Sequence, residues 1–225
     1  MIRLAIVVEG PTEEAFVNQV LLNHLLPLGV APTPFLIGRR GGNVTVDGLA
    51  LDMANSLWDF DFVTSLVDFY GFHERGPGKA DALENRISEA VDSRIKRSWD
   101  QSRIFPYVQR HEFEGLLFSD VGAFSRLRQT SDMVLRELQQ IRSRFPTPED
   151  INDNKDTAPS KRIANVIPRY KKRVDGPELA SAIGLDKIST ECPRFRQWLT
   201  HMESLGEQVI NDDSPTSPAD EKGRR

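Results

Sequence analysis

The residues with the greatest chemical potential in this chain are carboxylates that follow short apolar runs. Glu9 directly follows Ile2–Val8, Asp68 directly follows Phe62–Val67, and Glu112 and Glu114 lie four and six residues past Val108. In an open parallel α/β sheet, ligands bind beyond the carboxyl ends of the strands. If these runs are neighbouring strands, their acids meet on one edge. Acids held together repel unless they are protonated or bridged by a cation. A hard divalent ion, Mg²⁺ or Mn²⁺, suits such an all-oxygen set and keeps waters that can meet a substrate phosphate. Taken singly, each acid reads equally as a strand-end cap or a loop residue facing water.

The elements that must hold these acids follow from periodicity. Ile2–Val8 is a β-branched apolar run of the kind buried in parallel sheets. Thr12 is placed to cap a helix bearing Phe16, Val17, Val20, Leu21 and Leu25 at helical spacing. Pro34–Ile37 reads as a second strand, and Leu49, Met53 and Leu57 fall in helical register after it. Phe62–Val67 is the third strand, Ala80–Arg97 a helix with Leu83, Ile87 and Val91 on one face, and Ile104–Val108 the fourth strand. Strands alternating with helices predict a parallel, doubly wound α/β sheet of about four strands. After Asp120 no strand is expected. Residues 1–120 read as an α/β domain, residues 121–210 as a helical extension packed on it, and residues 211–225 as a disordered tail without large apolar side chains.

With 225 residues the chain can bury a large core unaided, and its single cysteine, Cys192, excludes a disulfide framework. No apolar run reaches membrane-spanning length. Residues 1–8 stop at Glu9-Gly10-Pro11, too early for a secretory signal, so a cytoplasmic protein with no membrane partner is expected. The net charge of −4 argues against indiscriminate coating of DNA. It conceals a segregation: from Lys155 to Arg173 there are seven basic residues and one acid, a net of +6.

Within that segment, Ser160 is placed to cap a helix that Lys161 and Arg162 enter, leaving a hydroxyl and two cations near one anion. Lys161 beside a metal-bound phosphate would stabilise charge developing during in-line attack. Arg169 to Arg173, with Lys171 and Lys172, would grip a nucleic-acid backbone without reading sequence. Gly38-Arg39-Arg40-Gly41-Gly42-Asn43 follows the second strand on the same edge. Its glycines let backbone N–H groups face an anion, and Arg39 and Arg40 can fork onto phosphate oxygens. The same loop reads equally as a β–α turn with solvated arginines. His111 is placed to act as a general acid or to orient Glu112. Nothing in the chain has the P-loop pattern, so any ATPase activity must come from a partner.

Val8-Glu9-Gly10-Pro11-Thr12-Glu13-Glu14 resembles the first motif of the TOPRIM fold, the metal-binding domain of topoisomerases, primases and related nucleases. It is most similar to the version in overcoming-lysogenization-defect nucleases, in which a second acid follows four residues on; Glu13 stands there. The later Asp-x-Asp motif of that fold is altered here to Asp68-Phe69-Tyr70, and a neutral phenol is a poor Mg²⁺ ligand. Tyr70 either donates a hydrogen bond to phosphate or packs. The landmarks Glu9–Glu13, Val67–Gly71, His111–Glu114, Pro146–Glu149, Ala158–Arg162 and Cys192-Pro193 together resemble the bacterial domain-of-unknown-function family 4276 over roughly residues 2–200. The resemblance implies a TOPRIM-like fold and metal-dependent nuclease chemistry on DNA or RNA, often beside a partner ATPase in phage-defence settings, with a homo-oligomer possible. On it, Glu9, Asp68 and Glu112, nearer its strand than Glu114, would hold metal with Glu13 assisting. The altered Asp68-Phe69-Tyr70 also allows a noncatalytic subunit that binds nucleic acid or the ATPase.

Overall fold

The computed structural model describes residues 1–39, 41, 44–76, 79–128, 130–152 and 157–212, without the side chains of Arg39 and residues 207–212. Its centre is a parallel sheet. Strand β1 (Ile2–Val8) lies between β2 (Val30–Leu36) and β3 (Phe62–Asp68), and β3 also pairs with β4 (Ile104–Phe105) and β5 (Val108–Gln109). The apolar run of β1 is fully buried from Leu4 to Val8 because both faces of the sheet are covered. Leu4, Ile6 and Val8 enter one hydrophobic cluster and Ala5 and Val7 the other, the two-residue alternation of a strand.

Two strands depart from the sequence reading because of proline, and the helix read over Ala80–Arg97 ends at Arg94. Strand β2 starts at Val30 rather than Pro34 and accommodates Pro32 and Pro34 because it is an edge strand, paired on one side only. The fourth strand position is broken into β4 and β5 at Pro106-Tyr107, where proline has no N–H to give the ladder. Ser65 repairs the gap: its hydroxyl accepts the Tyr107 N–H and donates to the Tyr107 carbonyl, both at 3.0 Å.

Helix α1 (Pro11–Phe16) continues through a π-helical turn (Val17–Leu21) into α2 (Leu22–Leu25). Thr12 does not cap it; the cap position is Gly10, and Pro11 takes the first turn, where its missing N–H costs nothing. Helices α3 (Val46–Ser56) and α4 (Ala80–Arg94) pack on the opposite face through Leu49, Met53, Leu83 and Ile87. After a 3-10 segment (Val121–Arg126) come α5 (Asp132–Arg142), α6 (Pro159–Val166), α7 (Lys172–Ile183), α8 (Leu185–Glu191) and α9 (Pro193–Asp212). These helices close the first face of the sheet: the cluster holding Leu4 and Phe16 also holds Leu138 of α5, Ile163 of α6, Leu179 of α7, Ile188 of α8, and Phe195 and Leu199 of α9. Residues 121–205 therefore share one core with the sheet.

Two polar anchors fix α9. Trp198 Nε1 donates to Thr64 Oγ1 of β3 at 2.8 Å, and buried Glu149 accepts the backbone N–H groups of Arg194 and Phe195 at 3.0 and 3.1 Å. The Pro146–Glu149 landmark is thus a carboxylate at a helix start, where the dipole favours it. The sequence places the disordered tail from Asn211. Asn211 and Asp212 are the last residues of α9, and the rest of the tail lies outside the described residues. Among the described residues, no helix is long and apolar enough to cross a membrane.

Candidate functional site

Parallel strands with crossover helices bring the ends of β1, β3 and β5 to one edge of the sheet. Glu9 leaves the end of β1, where it accepts the Asp68 backbone N–H on Oε2 at 3.0 Å. Asp68 ends β3 and accepts the Phe113 N–H on Oδ1 at 2.8 Å. Past β5 the chain turns at His111, a non-glycine residue with φ of 66°, then enters a 3-10 segment (Phe113–Ser119). Such left-handed backbone costs energy and clusters at functional sites. Because a helical turn has begun, the two glutamates diverge. Glu112 Oε2 accepts the Ser160 N–H in the first turn of α6 at 2.9 Å, whereas Glu114 is fully buried beside Lys172.

Lys172 is the centre of the arrangement. It opens α7, which Gly176 allows to lie close against Thr12 of α1 and Phe113. Its Nζ stands 3.0 Å from Glu114 Oε2 and 3.5 Å from Asp68 Oδ2. Glu13, in the first turn of α1, is buried within the same electrostatic cluster. Five carboxylates, Glu9, Glu13, Asp68, Glu112 and Glu114, thus interact with one ammonium. Burial pushes the Asp68, Glu9 and Glu114 carboxyls above the ordinary range, against the opposing pull of Lys172. Glu13 is pushed up to about 7 by the same cause. Burial works to lower Lys172, and Asp68, Glu114, Glu13 and Glu112 outweigh it, so the ammonium stays charged.

A carboxyl whose folded-state pKa is raised stabilises the fold below its unfolded pKa, and that stability is lost as pH rises through the folded value. For Glu13 the loss falls between about 4.5 and about 7. The melting temperature in chelator is expected to fall less from pH 5 to pH 8 in Glu13→Gln than in the parent. The difference is on the order of 2 kcal/mol by linkage. His111, pushed down to about 4 by burial, works in the opposite sense below its ordinary pKa, but equally in both proteins. Equal slopes in the two proteins would remove Glu13 from the cluster's titration.

The donor set suits a hard cation. Backbone amides orient one oxygen each of Glu9, Asp68 and Glu112; among the described residues Glu9 Oε1, Glu112 Oε1 and buried Glu114 Oε1 take no hydrogen bond, and Asp68 Oδ2 faces only the Lys172 ammonium. One lysine cannot neutralise five acids. In the present arrangement, however, no three acidic, histidine or cysteine side chains among the described residues stand together to hold a single ion. Lys172 is the cation on which they converge. Gly71 seats Glu9: a Cβ there would lie 2.2 Å from Glu9 Oε2 and 2.6 Å from its Cδ. Gly71→Ala is therefore expected to displace the Glu9 carboxylate; if the cluster takes Mn²⁺, calorimetry should then show its binding at least tenfold weaker while the melting temperature changes little. Undiminished Mn²⁺ affinity would show that Glu9 is not a ligand.

The remaining sequence candidates fall in several places. Tyr70 packs against Phe69 and His111, its hydroxyl pairs with Asn152 Nδ2, and the Arg75 guanidinium lies 5.0 Å over its ring. His111 Nδ1 faces Asn152 at 3.3 Å. Burial pushes its pKa down to about 4, so the ring is neutral at pH 7. Ser160 does not cap α6: the cap position is Ala158, and Ser160 contributes its backbone N–H to Glu112 instead of its hydroxyl. Lys161 is exposed, whereas Arg162 turns back to the Thr157 carbonyl at 2.7 Å and over Phe145. Lys172, expected in a phosphate grip, faces the acids; Lys171 remains exposed beside it. Gly41, with φ of 75°, packs on the Glu9 carbonyl, so its loop does reach this edge. Arg40 and Gly42, with Asn43, lie outside the described residues, as does the side chain of Arg39.

Fold and site define an α/β protein whose parallel sheet carries a buried acid–lysine cluster at its carboxyl edge. A family model matches residues 8–203, and the chain belongs to that family, the domain of unknown function DUF4276. No curated protein and no solved structure matches it.

Proposed function

We propose that this is a TOPRIM-like, divalent-cation-dependent enzyme that hydrolyses phosphodiester bonds in nucleic acid. The observation that carries the reading is the convergence of Glu9, Asp68, Glu112 and Glu114, from the ends of three parallel strands, with each of the first three oriented by one backbone amide. These residues, with Glu13, would hold Mg²⁺ or Mn²⁺. When bound, the ion supplies Lewis-acid polarisation of a phosphoryl oxygen and a water of lowered pKa. The chain's own part is to fix the carboxylates in advance and to offer the Lys172 ammonium to charge that develops on the phosphate. The test is cleavage of DNA and RNA by the purified chain with Mg²⁺ or Mn²⁺ and with chelator. Cation-dependent cleavage is expected, and its absence on both substrates would sink the activity.

A second reading is a noncatalytic subunit that binds nucleic acid or a partner ATPase. Two observations favour it: Tyr70 stands where the resembled motif has its second aspartate, and Lys172 already supplies the cation that the acids share. It predicts no heat of Mn²⁺ binding at neutral pH.

A further inference from the structure

A positively charged groove leads away from the acid cluster, built from two segments distant in sequence. The first turn of α7 separates two depressions, of about 480 and about 670 Å³, and Lys171 and Val174 line both. Arg126, Arg128 and Arg169 line the first, and Lys172 and Arg173 the second. A third depression joins Arg173 back to Arg126. Arg126, Arg128, Arg169, Lys171 and Arg173 are all exposed, and among the described residues none of them pairs with an acid. Of the acids in the lining, Glu14, Asp175 and Glu178, Asp175 is already engaged by the Lys171 backbone N–H at 2.6 Å.

Three consecutive cations at a helix start oppose the helix dipole, so this placement disfavours the free protein and suits one with an anion on the turn. Arginine guanidiniums fork onto phosphate oxygens. Among the described residues no aromatic side chain lines the depressions, so they offer no platform on which single-stranded bases could stack. Lys172 lines the groove while its ammonium lies between Asp68 and Glu114, which connects groove to cluster.

We propose that this groove seats a nucleic-acid duplex, held by its phosphates through Arg126, Arg128, Arg169, Lys171 and Arg173 and directed past Lys172 to the acid cluster. The direction toward the cluster rests on the proposed activity; the grip does not. The test is fluorescence anisotropy of the full chain in chelator, over a range of salt, with a labelled DNA duplex of about 20 base pairs and its single strand. The duplex is expected to bind at least as tightly as the strand. Each lost phosphate contact flattens the log–log salt slope by about 0.9. Arg126→Ala/Arg128→Ala and Arg169→Ala/Lys171→Ala should therefore each flatten it by roughly 1.8, with circular dichroism melts unchanged because all four side chains are exposed. Parental slopes in both double variants would overturn the grip, as would binding to phosphatidylserine vesicles without binding to duplex. Tighter binding of the single strand would overturn the duplex assignment. Because chelator prevents cation-dependent cleavage, a groove that binds in a chain that never cleaves retains this inference and loses the activity. Cleavage with unaltered salt slopes does the reverse.

Discussion

On the proposed activity, Glu9→Gln and Asp68→Asn are each expected to lower Mn²⁺-dependent cleavage by roughly 10²–10³-fold or more while the chain stays folded. Both substitutions keep an oxygen that can accept the backbone N–H of Asp68 or Phe113, so the local hydrogen bond survives. What is lost is charge on Glu9 Oε1 and on Asp68 Oδ2, the latter now facing the Lys172 ammonium. Burial already penalises that charge, pushing both carboxyls above their ordinary range, so its removal relieves repulsion. The melting temperature in chelator should stay level or rise. Loss of activity through unfolding would instead lower activity and melting temperature together. Cleavage at the parental rate in both variants would remove the acid cluster from catalysis.

The second large effect is expected at Lys172. Removing one partner from a buried ionic cluster leaves uncompensated charge and typically costs about 3–5 kcal/mol. The Lys172 side chain is 39% exposed, so water screens part of that charge. A loss of about 1–3 kcal/mol is expected for Lys172→Met at pH 8. At pH 5, where Glu13, pushed up to about 7, holds its proton, and where burial favours the neutral forms of Asp68 and Glu114 more than at pH 8, the deficit should shrink. Lys161→Met, on an exposed turn of α6, should leave stability unchanged at both values. Thermal melts of the three proteins at the two pH values check this. An equal loss at pH 5 and pH 8 would make the role of Lys172 one of packing.

The acids were legible in the sequence because strand ends are easy to find. An apolar run of β-branched residues stops at Glu9 and another at Asp68, and parallel pairing carries both to one edge without further information. The break at Pro106 was legible in principle, since proline cannot complete a ladder, yet the apolar side chains around it read as one strand. Lys172 was harder. Its neighbours in sequence are exposed cations, and only the packing of α7 on α1, permitted by Gly176, turns this one lysine inward. A signal was available: three cations in the first turn of a helix oppose its dipole, so one of them needs another reason to be there. Ser160 misled because serine before a helix normally caps with its hydroxyl, whereas Pro159 takes the first position and places Ser160 inside the turn. Arg126 and Arg128 carried no motif; their relation to Arg169 and Lys171 exists only once the 3-10 segment lies beside α7.

The distance along the chain between the acids and their lysine has a consequence for synthesis. Glu9, Glu13, Asp68, Glu112 and Glu114 all leave the ribosome before Lys172, with more than fifty residues between the last acid and the lysine. A nascent chain that has emerged only as far as the 3-10 segment ending at Ser119 has the sheet strands but not the counter-charge for its edge. Its carboxylates must stay hydrated or protonated, holding that edge open. The arrival of α7 is then the step that closes the site, so half-made chains carry the acids without a finished centre.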